Sequence, residues 1–144
     1  MWLPAGLAMA LVLAAAPPSA AVDDFVVIVN PSVAGVNVRR ADLGAVFLRK
    51  ATRWGSGATA VPVDQSGTSP VRNAFSQTVL AMPAATAVQY WQKQMFGVNP
   101  VRPPVVKGSD AEVIAFVAKT EGAVGYVSKA AVLPPGVKAI AVIE

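Results

Sequence analysis

The chain has 144 residues, with 12 Lys and Arg against 8 Asp and Glu, and it contains neither His nor Cys. Without Cys there is no disulfide, thiolate nucleophile or lipoprotein anchor, and without His no Ser-His-Asp triad, HExxH helix or ordinary zinc or copper site. The remaining acids still permit a carboxylate pair, but the composition disfavours an enzyme.

Residues 1–21 hold 16 apolar residues and no charge, so the 54% hydrophobic content is concentrated at one end. The rest is roughly half apolar, as in an ordinary globular domain. Leu3 to Ala16 is a short apolar run, closed by Pro17-Pro18 and followed by Ser19-Ala20-Ala21. This reads as a secretory signal cleaved near Ala21, although no Lys or Arg precedes it. A misassigned start codon or a merely weak signal would account for the missing charge, and a retained membrane anchor is the competing reading. Length and the prolines favour the signal, which makes the product periplasmic or secreted. No later stretch approaches the roughly 20 apolar residues of a spanning helix, so no stable membrane span is expected after cleavage. Residues 22–144 then form one domain.

Phe25 to Val29 is a continuous, largely β-branched run, suited to a strand buried on both faces. Residues 40–50 read as a helix with Leu43, Val46 and Phe47 on one face and Arg49, Lys50 and Arg53 at its C-terminal end. Five basic residues between 39 and 53 oppose only Asp42, giving that stretch +4; the seven basic and seven acidic residues elsewhere cancel. A turn at 54–57 leads to a strand over 60–63, and a polar loop spans 64–69. Ser69 followed by Pro70 predicts a helix over 70–81 with Val71, Phe75, Thr78 and Val79 inward. A third helix is expected to bury Ala84, Ala87, Val88, Trp91 and Met95, with Gly97 after its end. Val105-Val106 is a short strand. Ser109 and Glu112 form a capping box for a helix burying Val113, Phe116 and Val117 and ending at Gly122. Strands over 123–127 and 137–143 close the chain. This alternation predicts an α/β fold of three layers, a mixed, mainly parallel sheet flanked by helices.

The segment most suited to chemistry runs from Asp64 to Pro70. It joins a strand end to a helix start, where unpaired backbone N–H groups favour an anion. Gly67 permits close approach, and the hydroxyls of Ser66, Thr68 and Ser69 can donate to an oxyanion. A carboxylate at Asp64 would accept from a protonated oxyanion and favour hydrogen phosphate over sulfate. A Ser/Thr/Gly-rich loop before any helix explains the same residues without a ligand. Arg72, in the first helical turn, reads either as a salt bridge to Asp64, as a solvated side chain, or as a forked donor to the same oxyanion. Trp54, Trp91 and Tyr126 read as packing residues. The basic stretch lacks interleaved aromatics and any groove-reading motif, which argues against nucleic acid.

Ala45 to Lys50, Trp54-Gly55, Val63 to Ser69, Phe75 and Gly122 to Val127 together resemble the periplasmic phosphate-binding proteins of ABC transporters. Those proteins carry an IFLGK…W helix, an R-x-D-G-S-G-T loop and a GAIGYV strand in the same order. The resemblance covers about residues 25–143 and is closest to a short, single-lobe group. It implies the fold of one lobe of a type 2 periplasmic binding protein, with phosphate contacts at Asp64, Ser66, Gly67 and Thr68. The departures are Pro62 where the family has its phosphate-binding Arg, Gln65 in place of Gly, and Arg49 where the helix usually has Gly.

The expected function is therefore an exported, non-catalytic phosphate or oxyanion binder acting through Asp64, Ser66, Gly67, Thr68, Ser69 and Arg72. No cofactor or metal is implied. An ABC permease is the partner the resemblance suggests, with a second lobe or a homodimer to complete the ligand shell. The alternative is an envelope interaction or scaffold module that keeps the half-fold without capturing ligand. A carboxylate hydrolase is disfavoured because no second acid lies near Asp64 in sequence.

Overall fold

The computed structural model describes residues 25–144. The expected signal segment lies outside them. Six strands, β1 (Phe25–Val29), β2 (Asn37–Arg39), β3 (Val61–Gln65), β4 (Val105–Lys107), β5 (Ala123–Ser128) and β6 (Lys138–Ile143), form one sheet in the order β2-β6-β1-β5-β3-β4. Four helices accompany it: α1 (Arg40–Phe47), α2 (Pro70–Val79), α3 (Ala84–Met95) and α4 (Asp110–Lys119). Five strands run in one direction, and central β1 runs against both neighbours, β5 and β6. The architecture is the expected mixed, mainly parallel α/β arrangement. An apolar run such as 25–29 reports burial on both faces, and carries no signal of strand direction.

Strand alternation divides the core into two layers. Val27, Val29, Val124 and Tyr126 face α1 and α2, where they meet Leu43, Phe47 and Phe75. Ile28, Val63, Ala123 and Val127 face α4 and pack on Val113 and Val117. Gly125 lets α4 approach: a Cβ there would come within 2.7 Å of both Val113 and Val63 side chains. Gly122 is held at φ +75°, and a Cβ on it would lie 2.0 Å from the Thr59 carbonyl oxygen.

Several boundaries differ from the sequence expectation. The helix read over 40–50 stops at Phe47, so Arg49 and Lys50 lie in the closing turn and no cation occupies the last helical turn. Lys50 N–H donates to Ala45 O and Arg49 N–H to Val46 O, which is a Schellman closure with Arg49 at φ +60°. That left-handed position is the one at which the resembled family carries Gly. The strand read over 60–63 runs on through Asp64 and Gln65, which are paired with Val106 and Lys107 rather than looped. Helix α2 stops at Val79, two residues short of the expected 81. On α3, Ala87 and Trp91 are buried, but Val88 and Met95 remain 46% and 49% exposed, so its apolar face is only half covered. Strand β2 was not expected; three mostly exposed residues present too little pattern to read. Among the described residues no helix is long and apolar enough to cross a membrane.

Candidate functional site

β3, β4 and β5 are mutually parallel, so their carboxyl ends at Gln65, Lys107 and Ser128 share one edge of the sheet. Helices α2 and α4 both start from that edge. Open α/β sheets bind ligands there because loops and helix N-termini converge on it.

Asp64 and Arg72 are each only 7% exposed and face one another. The Arg72 Nη2 atom lies 3.5 Å from Asp64 Oδ2, and Nη1 donates to Gln65 O at 2.8 Å. Asp64 Oδ1 accepts from the Tyr126 hydroxyl and, at 2.9 Å, from the Gln65 N–H. Burial raises the Asp64 carboxyl above its ordinary pKa, against the opposing pull of Arg72, the Tyr126 hydroxyl and the Gln65 N–H. Tyr126 is raised too, by burial first and then by the charge and hydrogen bond of Asp64. A cation in the first turn of α2 opposes the helix dipole, and the facing carboxylate compensates it. The salt bridge to Asp64, one of the readings open for Arg72, is present.

Ser69 is the N-cap residue of α2 by position, but its side chain makes no capping bond. Its hydroxyl is diverted to Gln65 Oε1 at 2.8 Å. Gln65, only 2% exposed, sends Nε2 to Asp110 Oδ1 at 2.8 Å and to Tyr126 O at 2.9 Å. One carboxamide therefore ties the start of α2 to the start of α4. Asp110 also accepts from Ser128 Oγ at 2.6 Å and from Ser128 N–H at 3.2 Å. Burial alone would push the Asp110 pKa up; the hydrogen bonds from Ser128 and Gln65 outweigh it and hold the carboxyl below its ordinary value. The capping box is present in part: Glu112 N–H donates to Ser109 Oγ, while the Glu112 carboxylate accepts from Gly108 N–H.

Ser66 is half-buried, while Gly67 and Thr68 are exposed at the tip of the loop. Ser66 N–H is spent on Lys107 O and Ser69 N–H on Ser66 O. The hydroxyls of Ser66 and Thr68 bond each other at 3.1 Å, and Thr68 N–H reaches Ser66 Oγ only at 3.5 Å. Gly67 N–H has no partner among the described residues. The loop thus offers one unspent amide, one weakly held amide and two hydroxyls. Pro62 is buried within β3, paired with Val124.

Gln65, Asp110, Ser128 and the Tyr126 hydroxyl are parts of this cluster that sequence reasoning does not reach. The one available signal is Gln65 itself, a long amide in a loop of small residues. Among the described residues no group of three His, Cys, Asp or Glu could hold a metal. A cavity of about 520 Å³ between β2, α1 and residues 51–56 includes none of the expected site residues.

No family model matches the sequence, and no curated protein does. Solved structures do. An ABC-type phosphate transport receptor from Vibrio cholerae superposes with a TM-score of 0.64 at 21% identity, over 83% of this chain and 46% of that one. This chain shares the fold of about half of that receptor. A chain assigned as a phosphate ABC transporter substrate-binding protein, with phosphate bound, from Clostridium perfringens gives a TM-score of 0.59 at 22% identity, over 83% and 45%. PstS from Borrelia burgdorferi gives 0.59 at 14% identity, over 83% and 47%. The chain spans about half the length of these phosphate receptors.

Proposed function

We propose that this chain is an exported, non-catalytic lobe that binds inorganic phosphate or a similar oxyanion at the start of α2. Ser66, Gly67 and Thr68 contact the ligand with hydroxyls and amides, while Ser69, Asp64 and Arg72 hold the loop and set its charge. The observation that supports this most is the unspent Gly67 amide beside the Ser66 and Thr68 hydroxyls, at the carboxyl edge of a sheet built like the phosphate receptors. An incoming oxyanion would replace the mutual Ser66–Thr68 hydrogen bond with two charge-assisted ones. Export by residues 1–21, an ABC permease, and a second lobe from another copy or another protein belong to the same reading.

Calorimetric titration with inorganic phosphate and with sulfate tests it. Phosphate is expected to bind, and changing Ser66 and Thr68 together to Ala should weaken it by about a hundredfold or more, two hydrogen bonds to a charged group being at stake. Absence of heat and of any thermal shift at millimolar phosphate would overturn it. The second reading, an envelope interaction module without ligand capture, is favoured by one observation. The Gln65 side chain and the Asp110 carboxylate already occupy the space between the two helix starts. On that reading the Ser66 and Thr68 changes leave function intact.

A further inference from the structure

A groove of about 250 Å³ opens between α3 and the segment leading into β4. Val88, Trp91, Met95 and Val106 line it together with the buried pair Arg72 and Asp64. We infer that this groove is a second binding site, for a small carboxylate with an apolar or aromatic body. It goes beyond the phosphate reading and does not depend on the 66–69 loop.

The head of such a ligand is chosen by Arg72. A guanidinium has five N–H donors. Here one nitrogen bonds Gln65 O and a second stands 3.5 Å from Asp64, too long for a strong bond. Nε has no hydrogen bond among the described residues. The one side-chain polar atom among them that is both fully buried and unpartnered is Arg49 Nε. Arg72 itself lines the groove, so its spare N–H groups border that space. A carboxylate meets them with two oxygens in the fork geometry.

Charge and shape narrow the class further. Asp64 sits beside the same guanidinium, so a second negative charge on the ligand would meet a carboxylate. A monoanion is favoured over a dianion. The body of the ligand faces Trp91, the exposed half of the α3 face, and Val106, which is 53% exposed. Apolar surface left open there is covered when a hydrophobic ligand body enters. The volume admits a single ring or a branched chain, and excludes larger cofactors.

Titration of the full chain with benzoate, followed by Trp fluorescence and by thermal shift, tests the inference. Benzoate is expected to bind at least about tenfold tighter than its neutral analogue benzamide, since only the anion engages Arg72. Val88→Trp, at an exposed position that does not enter the core, should fill the groove and weaken benzoate about tenfold or more. Met95→Asp, also exposed, should weaken it through repulsion of the anion. Ser66→Ala with Thr68→Ala should leave benzoate binding unchanged even where it weakens phosphate, so the two readings fail separately. Equal binding of benzoate and benzamide would overturn the inference. So would absence of any benzoate response, or wild-type affinity in both groove variants.

Discussion

The ring of Tyr126 lies flat on that of Phe75, with 3.9 Å between centroids and 6° between planes. The same side chain donates its hydroxyl to Asp64. It joins the apolar layer beneath α2 to the buried ion pair at the sheet edge, and its two contacts differ by a single oxygen atom.

Tyr126→Phe separates them. The stack survives, while Asp64 Oδ1 keeps only the Gln65 N–H as a donor. Removing a donor from a buried carboxylate is expected to cost about 1–3 kcal/mol in urea unfolding. The hydroxyl also lowers the Asp64 pKa, so its loss should raise that pKa further. An unchanged urea midpoint would contradict this account of the network.

Asp64 and Asp110 predict pH dependences of opposite sign. Asp64 is raised in the folded state, so over its window the native chain binds more protons than the unfolded chain. Its contribution is fully present below the unfolded value near about 4 and is lost as pH rises through the folded value. Asp110 is lowered, so its contribution is present above the unfolded value and lost as pH falls through the folded one. Denaturant midpoints measured across pH should show Asp64→Asn flattening the loss that sets in above about pH 4. Asp110→Asn should instead flatten the acid limb below that range.

Arg49 holds φ +60° at the end of α1, with its Nε buried and unpartnered. A left-handed conformation costs a residue with a Cβ about 1–2 kcal/mol relative to glycine. Arg49→Gly is therefore expected to stabilise the chain by about 1 kcal/mol, allowing for the greater freedom of Gly in the unfolded chain. A lowered melting temperature would mean that the Arg49 stem contributes packing that outweighs the strain.

The elements that sequence locates well are those with local signals. The apolar run at 25–29, Pro70 after Ser69, and the Ser109 to Glu112 spacing each mark a strand or helix end that the structure places within a residue or two. Asp64, Ser69 and Arg72 come together because they flank one strand-to-helix junction. Gln65 is different: its partners Asp110 and Tyr126 are 45 and 61 residues away, and only the parallel pairing of β3, β4 and β5 brings them near. Ser69 shows the reverse effect. Its local tendency to cap α2 loses to a tertiary hydrogen bond that no local rule contains. The half-open face of α3 is equally invisible, because periodicity marks an apolar face without saying what covers it.

The reversed central strand bears on how the chain is made. β1 comprises the earliest described residues, yet its neighbours in the sheet are β5 and β6, from residues 123–128 and 138–143. Until β5 has been synthesised, Phe25–Val29 has no strand to pair with, and until β6 follows its second edge stays open. Such long-range pairing slows folding and leaves an aggregation-prone segment exposed in the meantime. Under the export proposed above, that delay would leave the sheet unclosed during passage through a membrane channel, provided something shields the waiting hydrophobic stretch on the way.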